Sequence, residues 1–223
     1  MHNIEQAQAT PRVMPKLSGE VYGTLINLSG RRRFTSQRVV LYALLASQGR
    51  DGSLGMSNDA LNAFREAHTV LVEGAGQMPG VFCDELREAY FGAPAGDRTI
   101  REFIGLAQRT LDAIKSRARI APDLLDELIE RATPLLAVLN AITQVYEELA
   151  KRAATVARRQ LAGLMGDIGS IAKHAHIVSF NAQVVAARAG ASGREFSVVA
   201  AELSRITGRL DELIREALST PTA

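Results

Sequence analysis

The sequence predicts an all-α protein, an antiparallel four-helix bundle continuing into a coiled-coil helical hairpin. Three observations predict it. Apolar or small residues recur at alternating steps of three and four along most of the chain. Two such series late in the chain are separated only by Gly190 to Gly193. Ala, Leu and Arg dominate a composition with 5% aromatic residues and no Trp, which suits helices better than sheets. With 223 residues, 47% of them hydrophobic, the chain is long enough to bury a sizeable core.

Residues 1 to 15, with Pro11 and Pro15, read as a disordered lead-in. A first helix is expected from Leu17 to Gln48, ending in the glycine-rich segment that follows. Its apolar stripe is Val21, Leu25, Leu28, Val39, Tyr42 and Ala46, and the two positions left to complete it hold Arg32 and Thr35. Ser57, Asn58 and Asp59 offer N-caps for a second helix with the stripe Leu61, Phe64, His68, Leu71 and Ala75, stopping near Gly76. His68 in that seam reads as a hydrogen-bonded core histidine.

A long connection from Gln77 to Asp97 is expected to hold a short helix at Phe82 to Tyr90. The third helix carries Ile100, Ile104, Ala107, Leu111, Ile114 and Ala118 in register. Ala121, Pro122 and Asp123 then open a very long fourth helix, with Leu125, Leu128, Ala132, Leu135, Leu139, Ile142, Tyr146, Leu149, Ala153 and Val156 along one face. Pro134 lies inside that pattern and is expected to bend the helix near Ala132 rather than end it. Past Val156 the series moves by one residue to Ala157, Leu161 and Leu164, which reads as a junction between packing environments. The expected organisation is a bundle over 16–156, a hairpin over 157–218 and a tail over 219–223.

The hairpin's first arm continues through Ile168, Ile171, Ala175, Val178, Ala182, Val185 and Ala189. Its second arm reads Phe196, Val199, Leu203, Ile206, Leu210, Leu213 and Ala217. An arm of about 27 residues spans roughly 40 Å at about 1.5 Å per residue, so it covers the ascending helix only from Leu161 onward. The earlier half of that helix needs the first three helices as partners, which gives the bundle. Heptad seams on both arms also predict that two copies pair as a homodimer.

The segment Asn181, Ala182, Ala186 to Gly190, Gly193, Arg194, Phe196, Val198 to Ala200, Glu202 and Leu203 resembles the cytoplasmic tip of methyl-accepting chemotaxis proteins. In that family a long helix turns back at a glycine-containing bend and the tip contacts a histidine kinase and an adaptor. The resemblance implies a signalling tip at Asn181, Arg188, Gly190, Gly193, Arg194 and Phe196. The chain departs from the family where Val185 and Ala191 replace the usual glutamates, and where Glu195 replaces a glycine.

The second informative stretch is Ile26 to Arg38, with four arginines within eight residues on a helix that has to contribute a buried seam. Unpaired guanidinium groups there are costly, and Arg is the side chain best shaped for planar oxyanions. A competing reading is a solvated face or pairing to carboxylates elsewhere in the bundle. Ile26, Asn27, Gly30, Arg33, Ser36, Gln37 and Arg38 resemble the motif of PilJ-type sensor domains and of nitrate/nitrite sensor kinases related to NarX. That resemblance implies a small anion, nitrate or nitrite, at Arg33 and Arg38 of paired first helices, supported by Asn27, Gly30 and Ser36.

The net charge of +2 is too weak and too evenly mixed for a nucleic-acid footprint. No run of about 18 apolar residues and no signal-peptide core is found, so a cytoplasmic protein without membrane insertion is expected. Cys83 is the single cysteine, which excludes an internal disulfide. No nucleophile, base and orienting group meet in any motif, so neither an enzyme nor a cofactor is expected. His174 and His176 sit two apart, on different helix faces, and read as surface polar residues rather than as a metal pair. The functional expectation is a chemoreceptor-like transducer of an anion signal, with a ligand-independent scaffold or decoy that pairs with receptor tips or their adaptor as the alternative.

Overall fold

The computed structural model describes residues 17–219 and is all-α, with six α-helices and a 3-10 turn among the described residues. The expected lead-in over 1–15 and the tail from residue 220 lie outside them. The helices are α1 (Gly19–Ser47), α2 (Ser53–Glu73), α3 (Asp84–Phe91), α4 (Gly96–Ser116), α5 (Ala121–Arg188) and α6 (Arg194–Ser219). They divide into two compact units, one ending at Ala153 and one starting at Ala154.

Local chemistry sets the helix ends. Ser18 caps α1 by accepting the Val21 N–H at 3.3 Å, and Glu20 places a carboxylate in the first turn. The α1 stripe extends through Arg32 and Thr35, both buried. The N-caps expected at Ser57, Asn58 and Asp59 are corrected: α2 begins at Ser53, one residue after Gly52 at φ +75°. Ser57 lies inside α2, fully buried, and donates its hydroxyl to the Val39 carbonyl of α1 at 2.8 Å. A serine that caps a sequence pattern here satisfies a core hydrogen bond instead.

The first unit has one apolar core. Leu25, Val39 and Ala43 of α1 meet Leu61, Phe64 and Leu71 of α2, Leu86 and Tyr90 of α3, Ile100 and Leu111 of α4, and Leu128, Leu139 and Tyr146 of α5. Burying each of the larger side chains contributes about 1.5–3 kcal/mol relative to exposure. Phe64 and Phe103 pack edge to face with ring centroids 5.6 Å apart. Pro134 is accommodated inside α5, which is a single helix from Ala121 to Arg188.

In the second unit, α5 and α6 are joined by the 3-10 turn Gly190–Gly193. The residues buried there are small and recur every seventh position: Ala172, Ser179 and Ala186 on α5, Ala200 and Thr207 on α6. The leucine, isoleucine and valine series that the sequence suggests as the hairpin's seam faces outward, with Leu164, Ile171, Val178 and Val185 between 59% and 68% exposed. Small residues let two helix backbones approach closely, and bulky ones at the contact would hold them apart.

Two glycines make the turn. Gly190 has φ +62° with open space around any added Cβ, whereas a Cβ on Gly193 would collide with the Ala186 carbonyl. Gly190→Ala therefore carries only a left-handed backbone cost, expected to be about 1 kcal/mol. The measurement is the midpoint of thermal unfolding followed by far-UV circular dichroism, and an unchanged midpoint would contradict this account of the turn.

Candidate functional site

The polar centre of the first unit starts at Arg32. Its helix position faces the core, and its side chain is completely buried. The guanidinium donates from Nη1 to His68 Nδ1 at 3.2 Å and from Nη2 to Ser29 Oγ at 3.1 Å, and lies over the Tyr90 ring at 5.6 Å. Its Nε–H has no hydrogen-bond partner among the described residues.

His68 passes the contact on. Its Nε2 lies 3.0 Å from Asp97 Oδ1 at the start of α4. Burial, followed by the neighbouring Arg32 charge, lowers the His68 pKa to about 4 against the opposing pull of Asp97. The imidazole is therefore neutral at pH 7. A neutral ring has one donor and one acceptor, so Nε2–H donates to the carboxylate and Nδ1 accepts from Arg32. Arg101 closes the outer end, its Nε donating to Asp97 Oδ1 at 3.0 Å and to Oδ2 at 2.9 Å.

Hydroxyl groups complete the network. Ser29 and Thr143 share a hydrogen bond of 2.8 Å, and Thr143 donates to the Leu139 carbonyl at 2.7 Å. Tyr90 and Tyr146 lie hydroxyl to hydroxyl at 3.3 Å, and burial drives the Tyr146 phenol well above its ordinary range. Residues of α1, α2, α3, α4 and α5 thus meet in one buried polar cluster.

Of the sequence-derived anion residues, Gly30 lies beside the Arg33 guanidinium. Asn27 is exposed and Gly30 half-buried. Arg33 turns toward α5, donating to Asn140 Oδ1 at 3.1 Å. Ser36 is buried and donates to the Arg33 carbonyl at 2.8 Å. Arg38 lies over Phe34 at 5.3 Å and over Tyr42 at 5.4 Å. Arg38 does share an outward stripe with Asn27, Arg31, Phe34 and Leu41, spaced by alternating steps of four and three. Phe34 is 60% and Leu41 50% exposed there.

Of the tip residues, Asn181, Arg188, Gly190, Arg194 and Phe196 are exposed, and Gly193 is buried against α5. His176 reaches Ser204 Oγ at 3.3 Å and Thr207 Oγ1 at 3.4 Å, so it takes part in hydrogen bonding between the arms. Burial raises the Cys83 thiol pKa, which leaves it a poor nucleophile. Among the described residues no group of three or more His, Cys, Asp or Glu is placed to hold a metal.

Asp97 escaped the sequence reading because it sat at the end of the long connection. Arg32 and His68 are each visible in the sequence as polar residues in apolar stripes of consecutive helices, but they are not paired in that reading; pairing the two would have been the signal for the cluster.

Fold and site together define an all-α protein with an ionic core network, and among the described residues no helix is long and apolar enough to cross a membrane. The chain matches no protein-family model, no curated protein and no solved structure.

Proposed function

We propose that this chain is a dimeric, non-enzymatic signal transducer that senses a small anion, nitrate or nitrite before others, and relays the signal through its hairpin. In this reading α1, α2, α4 and the first part of α5 form an antiparallel four-helix bundle, and the hairpin pairs with a second copy as a coiled coil. The output is a changed contact with a chemotaxis-type adaptor, a histidine kinase or another receptor tip.

The observation that carries the reading is the outward stripe of α1. Phe34 and Leu41 offer apolar contacts seven residues apart, interleaved with Asn27, Arg31 and Arg38. Two such helices facing each other about a two-fold bring their arginines together, and like charges at close range repel. A planar anion bound between them neutralises the repulsion and accepts forked N–H donors. Binding then favours the paired state of α1, and α5, whose residues belong to both units, connects the sensing and signalling ends. The outward seam of Leu164, Ile171, Val178 and Val185 supplies the hairpin's pairing face.

The resemblance of Asn181 to Leu203 to a chemoreceptor tip favours this output over an unrelated coiled coil. The second reading, a ligand-independent scaffold or decoy for receptor tips, draws on Val185 and Ala191, which stand where the family has carboxylates.

Thermal unfolding of the full chain in low chloride separates the two. Nitrate at about a hundred times its dissociation constant is expected to stabilise the protein by about 2.7 kcal/mol. Arg38→Ala is expected to abolish that shift while leaving the fold intact, because Arg38 is half-exposed and has no carboxylate partner among the described residues. No response to any oxyanion favours the scaffold, and an Arg38→Ala protein that responds like the parent places the anion elsewhere.

A further inference from the structure

A groove of about 210 Å³ lies between α4 and α5 in the first unit. It is smaller than the roughly 300 Å³ at which sites for drug-sized ligands begin, so its size suits a compact metabolite. Its floor is apolar and buried, formed by Phe103, Leu106 and Leu135. Its rim is charged with both signs.

The charges are sorted along the groove. Glu102 and Arg109 sit seven residues apart on α4, two turns or about 10 Å, and both line the groove. Neither makes a hydrogen bond or ion pair with another described residue. At the Arg109 end, α5 contributes Arg131, held loosely by Glu127 at 3.7 Å with both side chains about half exposed. A pair of that kind contributes little and is readily exchanged for another carboxylate.

The Glu102 end is rich in acceptors. Thr99 donates its hydroxyl to the Ala95 carbonyl at 3.2 Å and keeps its oxygen lone pairs for a ligand. Pro134 lines the same end. A carboxylate and a hydroxyl oxygen therefore line one end, and the Arg109 and Arg131 guanidinium donors, with Glu127 beside Arg131, line the other, with hydrocarbon between.

From this juxtaposition we propose that the α4–α5 groove binds a small zwitterion whose ammonium and carboxylate stand at opposite ends of an apolar chain, of the ω-amino-acid class. Its ammonium lies at Glu102 and its carboxylate at Arg109 and Arg131. The site uses none of the residues of the proposed anion response, so each stands or falls without the other.

The test is isothermal calorimetry and thermal unfolding of the full chain with 6-aminohexanoate, whose two charges stand at the ends of an apolar chain. Hexylamine and hexanoate, each lacking one charge, and leucine, which holds both charges on one carbon, serve as controls. Binding of 6-aminohexanoate is expected, weakened about tenfold or more in each control and in Glu102→Gln and Arg109→Gln. Both substituted positions are exposed, and circular dichroism verifies that the variants fold. The proposal is overturned if 6-aminohexanoate does not bind at millimolar concentration, if the controls bind as tightly, or if both variants bind like the parent.

Discussion

Asp97→Ala is expected to lower the unfolding free energy by about 3 kcal/mol, although its carboxylate is 15% exposed and lies near the end of a helix. An aspartate in such a place ordinarily tolerates truncation at a cost within about 0.5 kcal/mol. Asp97 differs because it is the carboxylate at the end of the hydrogen bonds that start at the fully buried Arg32. Removing it leaves a guanidinium charge in the core without its counter-charge and leaves the His68 Nε2–H without an acceptor. Asp112→Ala, where an exposed aspartate loses only a 3.3 Å contact to half-buried Gln108, is the control.

The double variant Arg32→Met with Asp97→Ala distinguishes a charge effect from a loss of packing. Methionine fills much of the same space without a charge, so the pair is expected to recover most of the stability lost by Asp97→Ala alone. Urea unfolding followed by circular dichroism reads all four proteins. An Asp97→Ala cost no larger than that of Asp112→Ala would remove the electrostatic explanation of the core.

The same residues show how far sequence carries. Periodicity located α1, α4, α5 and α6, because each apolar residue of a stripe votes for the same period, and the glycine pair at 190 and 193 fixed the turn. It misplaced the start of α2, because Ser57 has capping chemistry and only its burial against Val39 shows that it is used otherwise. It reversed the hairpin, because a Leu/Ile heptad looks like a seam whether it faces the partner arm or the outside. The small residues that do close the hairpin carry a weak apolar signal. At the candidate site, Arg32 and His68 were conspicuous as polar residues in apolar stripes, yet their connection to Asp97 spans three helices and no local pattern encodes it. The charge sorting along the α4–α5 groove is likewise invisible until two helices lie side by side.

The His68 linkage makes stability fall on acidification in a defined window. In the unfolded chain a histidine titrates near 6.5, and in the fold His68 titrates near 4 because burial and Arg32 oppose its charged form more strongly than Asp97 favours it. The unfolded state therefore takes up the proton first as pH falls. The contribution is complete above about pH 6.5, declines by about 1.4 kcal/mol per pH unit toward pH 4, and amounts to roughly 3 kcal/mol over the window. The groups facing the imidazole explain why the folded state resists protonation: Arg32 from α1, the Tyr90 ring from α3, and Asp97 with Arg101 from α4. An imidazolium would present N–H to Arg32 Nη1, turning a hydrogen bond into a contact between two donors. Urea titrations at half-unit steps from pH 7.5 to 4.5 measure the slope, and His68→Gln, whose amide still offers a donor and an acceptor, is expected to flatten it while lowering stability at pH 7. Equal slopes in parent and variant would assign the acid sensitivity to the carboxylates and detach it from the Arg32 network.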